Sequence, residues 1–176
     1  EQRLSEFSAT HGIACTILRP TLIWGAGLDR SLTPFAQAAA RRGFAIVPSA
    51  ARGLRQPVHA DDLAALCVAL LDRDAAVGVF EAGGGERLAL SEMLARAARA
   101  VDARLLRLPA PGFALSAIAR IAARLGAESG ALSRAMQDQC CSDDAIWRIA
   151  GLAPRGFEPT RSSFLPAISQ APAAAP

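Results

Sequence analysis

Apolar residues recur along the chain at two spacings, and the alternation between them predicts the order of elements. Residues 1–10 carry Leu4 and Phe7 at helical spacing and run into Gly12, which reads as the last turns of a helix. Residues 13–18 are a short apolar run closed by Arg19-Pro20 and predict a buried strand. A turn follows at Trp24-Gly25-Ala26-Gly27, then a helix over 31–42 ending at Gly43, and a second strand over 44–47 closed by Pro48. Asp61 is placed to cap a helix reaching Leu71. In that helix Leu63, Leu66, Cys67, Leu70 and Leu71 have helical period, and Ala64, Ala65, Val68 and Ala69 fill the other sides. A helix apolar on nearly every face is expected to be buried between layers.

Residues 77–82 predict another strand, with Gly83-Gly84-Gly85 turning the chain out of it. Ser91 is expected to cap an amphipathic helix whose stripe is Leu90, Met93, Leu94, Ala97, Ala98 and Val101. A strand over 105–108 is broken by Pro109 and Pro111. From Phe113 the pattern turns helical, at about 113–125, 131–140 and 143–150, and an Ala/Pro-rich tail begins at Ser169. Alternating strand and helix followed by helices alone predicts an α/β fold class. The expected organisation is an α/β portion over 1–108, a helical cap over 109–168 and a disordered tail over 169–176.

Composition narrows the chemistry more than the fold. The 176 residues are 52% hydrophobic, enough for a sizeable core. There is no Tyr, and all 19 basic residues are Arg, with neither Lys nor Asn anywhere. Chemistry that needs a phenol, a Schiff-base lysine or a P-loop lysine cannot be performed by these residues alone. The formal net charge of +3 comes from arginines spread mostly along helix faces, so no nucleic-acid partner is expected. Cys140 and Cys141 are adjacent, which suits neither an ordinary disulfide nor a zinc site, and four free thiols in a reducing cytoplasm is the expectation. His11 and His59 lack ligand partners at metal spacing, so no metal is expected. The longest apolar runs fall short of the roughly 20 residues needed to cross a bilayer, and no signal-peptide pattern opens the chain.

Two segments invite a site. Gly83-Gly84-Gly85 lies between a strand and a helix, but Leu88 stands where a dinucleotide loop needs its third glycine, so a turn is the better reading. The stretch from Arg52 to Asp62 is the densest polar constellation, and its guanidinium groups could grip a phosphate bidentately. No Gly-x-Ser-x-Gly elbow supports Ser-His-Asp catalysis.

Five stretches in order resemble the extended short-chain dehydrogenases, the NAD-dependent epimerase/dehydratase family. Residues 1–10 with the strand ending in Arg19-Pro20 are similar to the helix and strand that follow that family's Tyr-x-x-x-Lys motif. Thr21-Leu22-Ile23-Trp24-Gly25 resembles the stretch ending in Tyr-Gly. Arg55-Gln56-Pro57-Val58-His59-Ala60-Asp61-Asp62 resembles the Arg-Asp-x-x-x-Val-Asp-Asp segment. Val79 to Gly85 is similar to the Tyr-Asn-x-Gly strand and turn, and Asp144 to Phe157, with Gly151 and Pro154, to the C-terminal Asp…Gly-x-x-Pro pattern.

The resemblance implies the C-terminal part of an NAD(P)-binding Rossmann-type parallel sheet with a mainly helical substrate-binding cap. It implies a cytoplasmic, truncated chain: the substrate-binding portion of a sugar-nucleotide epimerase/dehydratase-like oxidoreductase or isomerase. The dinucleotide loop and the catalytic Tyr/Lys pair would lie upstream, and the parent would be a homodimer using NAD or NADP. This chain alone would then hold no catalytic residue and bind no cofactor. Pro20 would carry over as a cofactor contact, and Arg55, Arg30 and Leu22 as substrate contacts, Arg55 matching the arginine that grips a diphosphate. The alternative is a non-enzymatic scaffold of the same fold that binds a ligand or protein partner. Three departures stand out: Leu22 for the family's Asn, Trp24 for its Tyr, and Glu81 for the Asn of its strand. An apolar residue at 22 removes one hydrogen bond to a polar ligand, about 1 kcal/mol net.

Overall fold

The computed structural model describes residues 1–49, 51–71, 77–108 and 137–165. Helix α1 (Gln2–His11) ends on Gly12, whose left-handed backbone at φ 63° lets its N–H return to the Ser8 carbonyl. Strand β1 (Thr16–Pro20) pairs in parallel with β6 (Gly78–Ala82), Thr16 opposite Gly78 and Pro20 opposite Ala82. This strand was expected to start at Ile13. It starts later because the Ile13 N–H is still drawn back to Ser8, 3.1 Å away, while the partner strand begins only at Gly78.

Short strand β2 (Ile23–Trp24) pairs in parallel with β5 (Val58–His59), and β3 (Phe44–Pro48) with β8 (Arg104–Leu108). Strand β4 (Leu54–Arg55) runs antiparallel to β7 (Leu88–Ala89). Helices α2 (Leu32–Arg42), α3 (Ala60–Leu70), α4 (Leu90–Ala100), α5 (Ala145–Ala150) and α6 (Arg161–Phe164) complete the described elements. The α/β class is as the sequence pattern predicts, and the parallel pairing of β1–β6, β2–β5 and β3–β8 is as the resemblance implies. Of the three expected late helices, α5 falls within 143–150, while 113–125 and 131–136 lie outside the described residues. Residues 137–140 are not helical, because Gln139 forms a bridge to Arg55 instead. The tail from Ser169 lies outside the described residues.

Two apolar cores hold these elements. The larger joins α2, α4 and the β3–β8 pair through Leu32, Ala36, Met93, Ala97 and Ala98, closed by Trp24, Phe157 and Phe164. The predicted stripe of α4 is what it buries. The second core packs α3 and α5 on β6 through Val58, Leu66, Ala82, Ile146 and Trp147. Here the expectation of a helix buried on all sides fails. Leu66 and Leu70 point inward, whereas Val68 is 67% exposed and the following Leu71 81%. A helix packed on one side by α5 and β5 has covered only one face, whatever its composition.

Helix starts were the least legible feature. His59, not Asp61, caps α3: its extended backbone carries β5 straight into the helix, and its Nδ1 accepts the Asp61 N–H at 3.1 Å. Ser91 does not cap α4 either. That helix opens at Leu90, and the N–H groups of Leu90 and Ser91 donate to the carbonyls of Gly53 and Ala51. For α2 the capping group is Asp29, whose carboxylate accepts the N–H groups of Ser31, Leu32 and Thr33 and the Thr33 hydroxyl.

Burial pushes the Asp29 carboxyl up, but those hydrogen bonds outweigh it and leave its pKa below the ordinary 3.8. A lowered folded pKa means that the stabilisation is complete above the ordinary value and is lost as pH falls through the folded one. Asp29→Ala is expected to cost about 1 kcal/mol in urea denaturation at neutral pH. An unchanged midpoint would show that α2 does not depend on this cap.

Candidate functional site

Strands β1 and β6 run parallel, so their carboxyl ends, Pro20 and Ala82, open on the same side. In open α/β sheets that is where ligands bind. A cleft of about 460 Å³ lies there. Pro20, Leu22, Cys140 and Cys141 supply its less polar lining, and Arg19, Thr21, Glu81 and Gln139 the rest. Pro20 is exposed at the strand end, Leu22 and Cys140 are half-buried, and Cys141 is buried. Burial pushes the Cys141 thiol up to about 11, so it stays protonated at neutral pH.

Charges at the cleft are opposed in place. Arg19 and Glu81 are register partners across β1 and β6. The Arg19 guanidinium donates to Glu1, with Nε 3.0 Å from Oε1. The Glu81 carboxylate accepts the Ser142 main-chain N–H at 2.6 Å and its hydroxyl at 2.8 Å. These two bonds, first the main-chain one, hold Glu81 below its ordinary pKa of 4.5, with Arg19 adding to the effect.

Gln56 joins the pieces. Its Oε1 accepts the Cys141 N–H at 3.0 Å and its Nε2 donates to the Gly84 carbonyl at 2.9 Å. Its own carbonyl receives the Thr21 hydroxyl and the Gly84 N–H. The glycine turn is built for close packing: a Cβ on Gly84 would fall 1.8 Å from the Pro57 carbonyl oxygen. The N–H groups of Gly84 and Gly85 are used by Gln56 and Arg155 carbonyls, so this turn presents neither to a phosphate.

A larger cleft, about 830 Å³, lies beyond Gln56 between the glycine turn and α5. Its polar side chains are engaged within the fold: Arg87 donates to the Cys141 carbonyl, Trp147 to the Gly83 carbonyl, and Arg148 pairs with Asp144. It is a polar joint between elements. Trp24 stands edge-on to His59 and Phe157, and its Nε1–H is buried with no hydrogen-bond partner among the described residues.

Of the residues predicted from sequence, Pro20 and Leu22 meet in the cleft at the strand ends. Arg30 is exposed on the loop before α2 and is not part of the lining. Arg55 is 4% exposed and not part of the lining either. Its Nη1 donates to the carbonyls of Leu54 and Gln137, at 2.8 and 2.7 Å, and burial lowers its pKa. Sequence reasoning named Gln56 only within the Arg52–Asp62 stretch, with no role of its own, and did not single out Gln139. It noted Glu81 only as a departure and the cysteine pair only as a puzzle.

No protein-family model matches the sequence, and no curated protein sequence matches it. Solved structures do match. RMD from Pseudomonas aeruginosa, complexed with NADPH, superimposes with a TM-score of 0.62 at 15% identity over 91% of this chain and 49% of its own. UDP-glucose 4-epimerase from Thermus thermophilus, in complex with NAD, gives 0.64 at 18% identity over 93% of this chain and 49% of its own. WbmG from Bordetella bronchiseptica, in complex with NAD and UDP, gives 0.60 at 16% identity over 92% and 45%. The fold is thus α/β with parallel strands, matching part of a Rossmann-like epimerase fold. The chain spans a little under half the length of these proteins.

The Glu81–Ser142 contact yields a pH test. Glu81 has a lowered folded pKa, so its hold on Ser142 is full above 4.5 and is lost as pH falls through the folded value. Amide hydrogen exchange at Ser142 should lose protection below that pH, and Glu81→Gln should remove the pH dependence. Protection that persists unchanged in acid would show that Glu81 does not fasten this segment.

Proposed function

We propose that residues 1–176 are the substrate-side portion of an NAD(P)-dependent epimerase/dehydratase-like oxidoreductase. The catalytic Tyr/Lys pair and the dinucleotide phosphate loop would be supplied by residues outside them. The observation that carries this reading is the meeting of Pro20 and Leu22 in one cleft at the carboxyl ends of two parallel strands. Support comes from structural neighbours complexed with NAD or NADPH, and from the absence of Tyr and Lys in a chain spanning under half of them.

The described residues fit one end of such a cofactor. Pro20 is exposed at the end of β1, an apolar surface suited to the flat nicotinamide ring, with Leu22 and half-buried Cys140 left to the substrate side of the same cleft. Bound there, the nicotinamide would accept or return a hydride. The diphosphate has no seat in the glycine turn, whose Gly84 and Gly85 N–H groups are already used, so its loop belongs to the other portion.

The tasks left to this chain are to orient and to exclude water. Residues 139–141 form one wall of the cleft, and Gln56, Arg87 and the Glu81–Ser142 contact fasten this segment. The general acid or base would be the Tyr of the other portion, its phenol lowered from a pKa near 10 by the Lys beside it. A homodimer and a cytoplasmic setting go with this reading; no described helix is long and apolar enough to cross a membrane.

Calorimetry on the whole protein should show saturable binding of NAD(H) or NADP(H) with a micromolar dissociation constant, about −8 kcal/mol. Residues 1–176 alone should show none. Whole protein that binds neither cofactor, or a reading frame lacking the Tyr/Lys pair, would favour the non-enzymatic scaffold instead.

A further inference from the structure

We infer that the cleft at Pro20 and Leu22 takes an uncharged small molecule with a largely apolar body, an alcohol or ketone, and not a diphosphate-linked sugar. The inference rests on the functional reading above and goes further by naming the substrate class. It follows from where the cationic and polar groups of this region are already spent.

A diphosphate is recognised by guanidinium or ammonium groups in direct, preferably bidentate, contact. Arg55 is the residue the sequence offers for that task. In the structure its guanidinium is buried and gives Nη1 to two main-chain carbonyls, Leu54 and Gln137. Around it the same two stretches are fastened again. The Gln139 N–H reaches the Leu54 carbonyl at 2.8 Å, and the Asp138 carboxylate accepts the Leu54 N–H at 2.7 Å. Arg55 therefore acts as a strut that holds residues 137–139 against β4, and these residues lead directly into the wall of the cleft.

Among the described residues of the cleft lining Arg19 is the one cationic side chain, and Glu81 faces it from the neighbouring strand. Glu1 takes its guanidinium as well. The described lining thus carries one positive and one negative group, with no net charge to hold an anion. An entering phosphate would meet the Glu81 carboxylate, kept ionised by Ser142.

The remaining lining selects for an apolar body. Pro20 and Leu22 present carbon, and Cys140 and Cys141 present thiols, which behave as small hydrophobes. Leu22 is itself packed against the larger core, so its place in the wall is fixed. The Thr21 hydroxyl is given to the Gln56 carbonyl. The Gln139 side-chain amide makes no hydrogen bond among the described residues, which leaves a donor and an acceptor for one hydroxyl or carbonyl group.

Cys140 allows the cleft to be read without a mutation. The whole protein, saturated with its nicotinamide cofactor, is treated with iodoacetamide. Alkylation of Cys140 is followed by peptide mass spectrometry, with exposed Cys67 as the internal reference. Cyclohexanol or cyclohexanone should slow labelling of Cys140 about tenfold at saturation. UDP and UDP-glucose should leave the rate unchanged, and none of the four should alter Cys67. Protection by UDP or UDP-glucose would overturn the inference, as would protection by none of the probes. A protein that binds no nicotinamide cofactor would instead fail the reading on which the inference rests.

Discussion

Gln56 holds three separate stretches of chain at one point. Through its main-chain carbonyl it receives the Thr21 hydroxyl, just beyond β1, and the Gly84 N–H, just beyond β6. Through its side-chain amide it reaches the Gly84 carbonyl and the Cys141 N–H. The exits of two parallel strands and a segment some 85 residues further along the chain are thereby fixed relative to one another. Hydrogen bonds that satisfy a half-buried amide at both ends contribute specificity as well as energy, and here all four partner groups are paired at once. Gly84 makes the arrangement possible, since any side chain there would collide with the Pro57 backbone. The cleft at Pro20 and Leu22 exists because this junction brings residues 139–141 over the strand ends.

Much of the framework is local, and so it was legible. Gly12, Gly43 and Gly151 end helices with left-handed backbone, as glycines after periodic segments should. The stripe of α4 and the apolar runs of β1 and β6 mark elements that depend on their own residues. Helix starts were not legible in the same way. Asp61 and Ser91 are good capping types, yet the caps of α3 and α4 come from an imidazole and from carbonyls about 40 residues away. The composition of α3 suggested burial on every side, but only its packing partners decide how many faces are covered.

Pro20 and Leu22 were singled out by the resemblance to the epimerase/dehydratase family, and the structure brings both into one cleft at the strand ends. The type of Arg55 announces five donors in a fixed fork, but type alone does not say which acceptors will claim them. In the structure two main-chain carbonyls claim one nitrogen, and Arg55 is buried outside the lining of the cleft at Pro20. Glu81 shows the converse. It was noticed as an odd residue at the end of a strand, and its partner Ser142 lies 61 residues away. Long-range pairs of this kind leave no periodic trace.

In the proposed function the cleft at the carboxyl ends of β1 and β6 faces a nicotinamide ring. A crystal structure of the whole protein with NADH or NADPH tests this directly. The ring should lie against Pro20, with carbon atoms within about 4 Å. A cofactor bound with its nicotinamide away from Pro20 and Leu22, or a cleft closed by some other part of the protein, would contradict it.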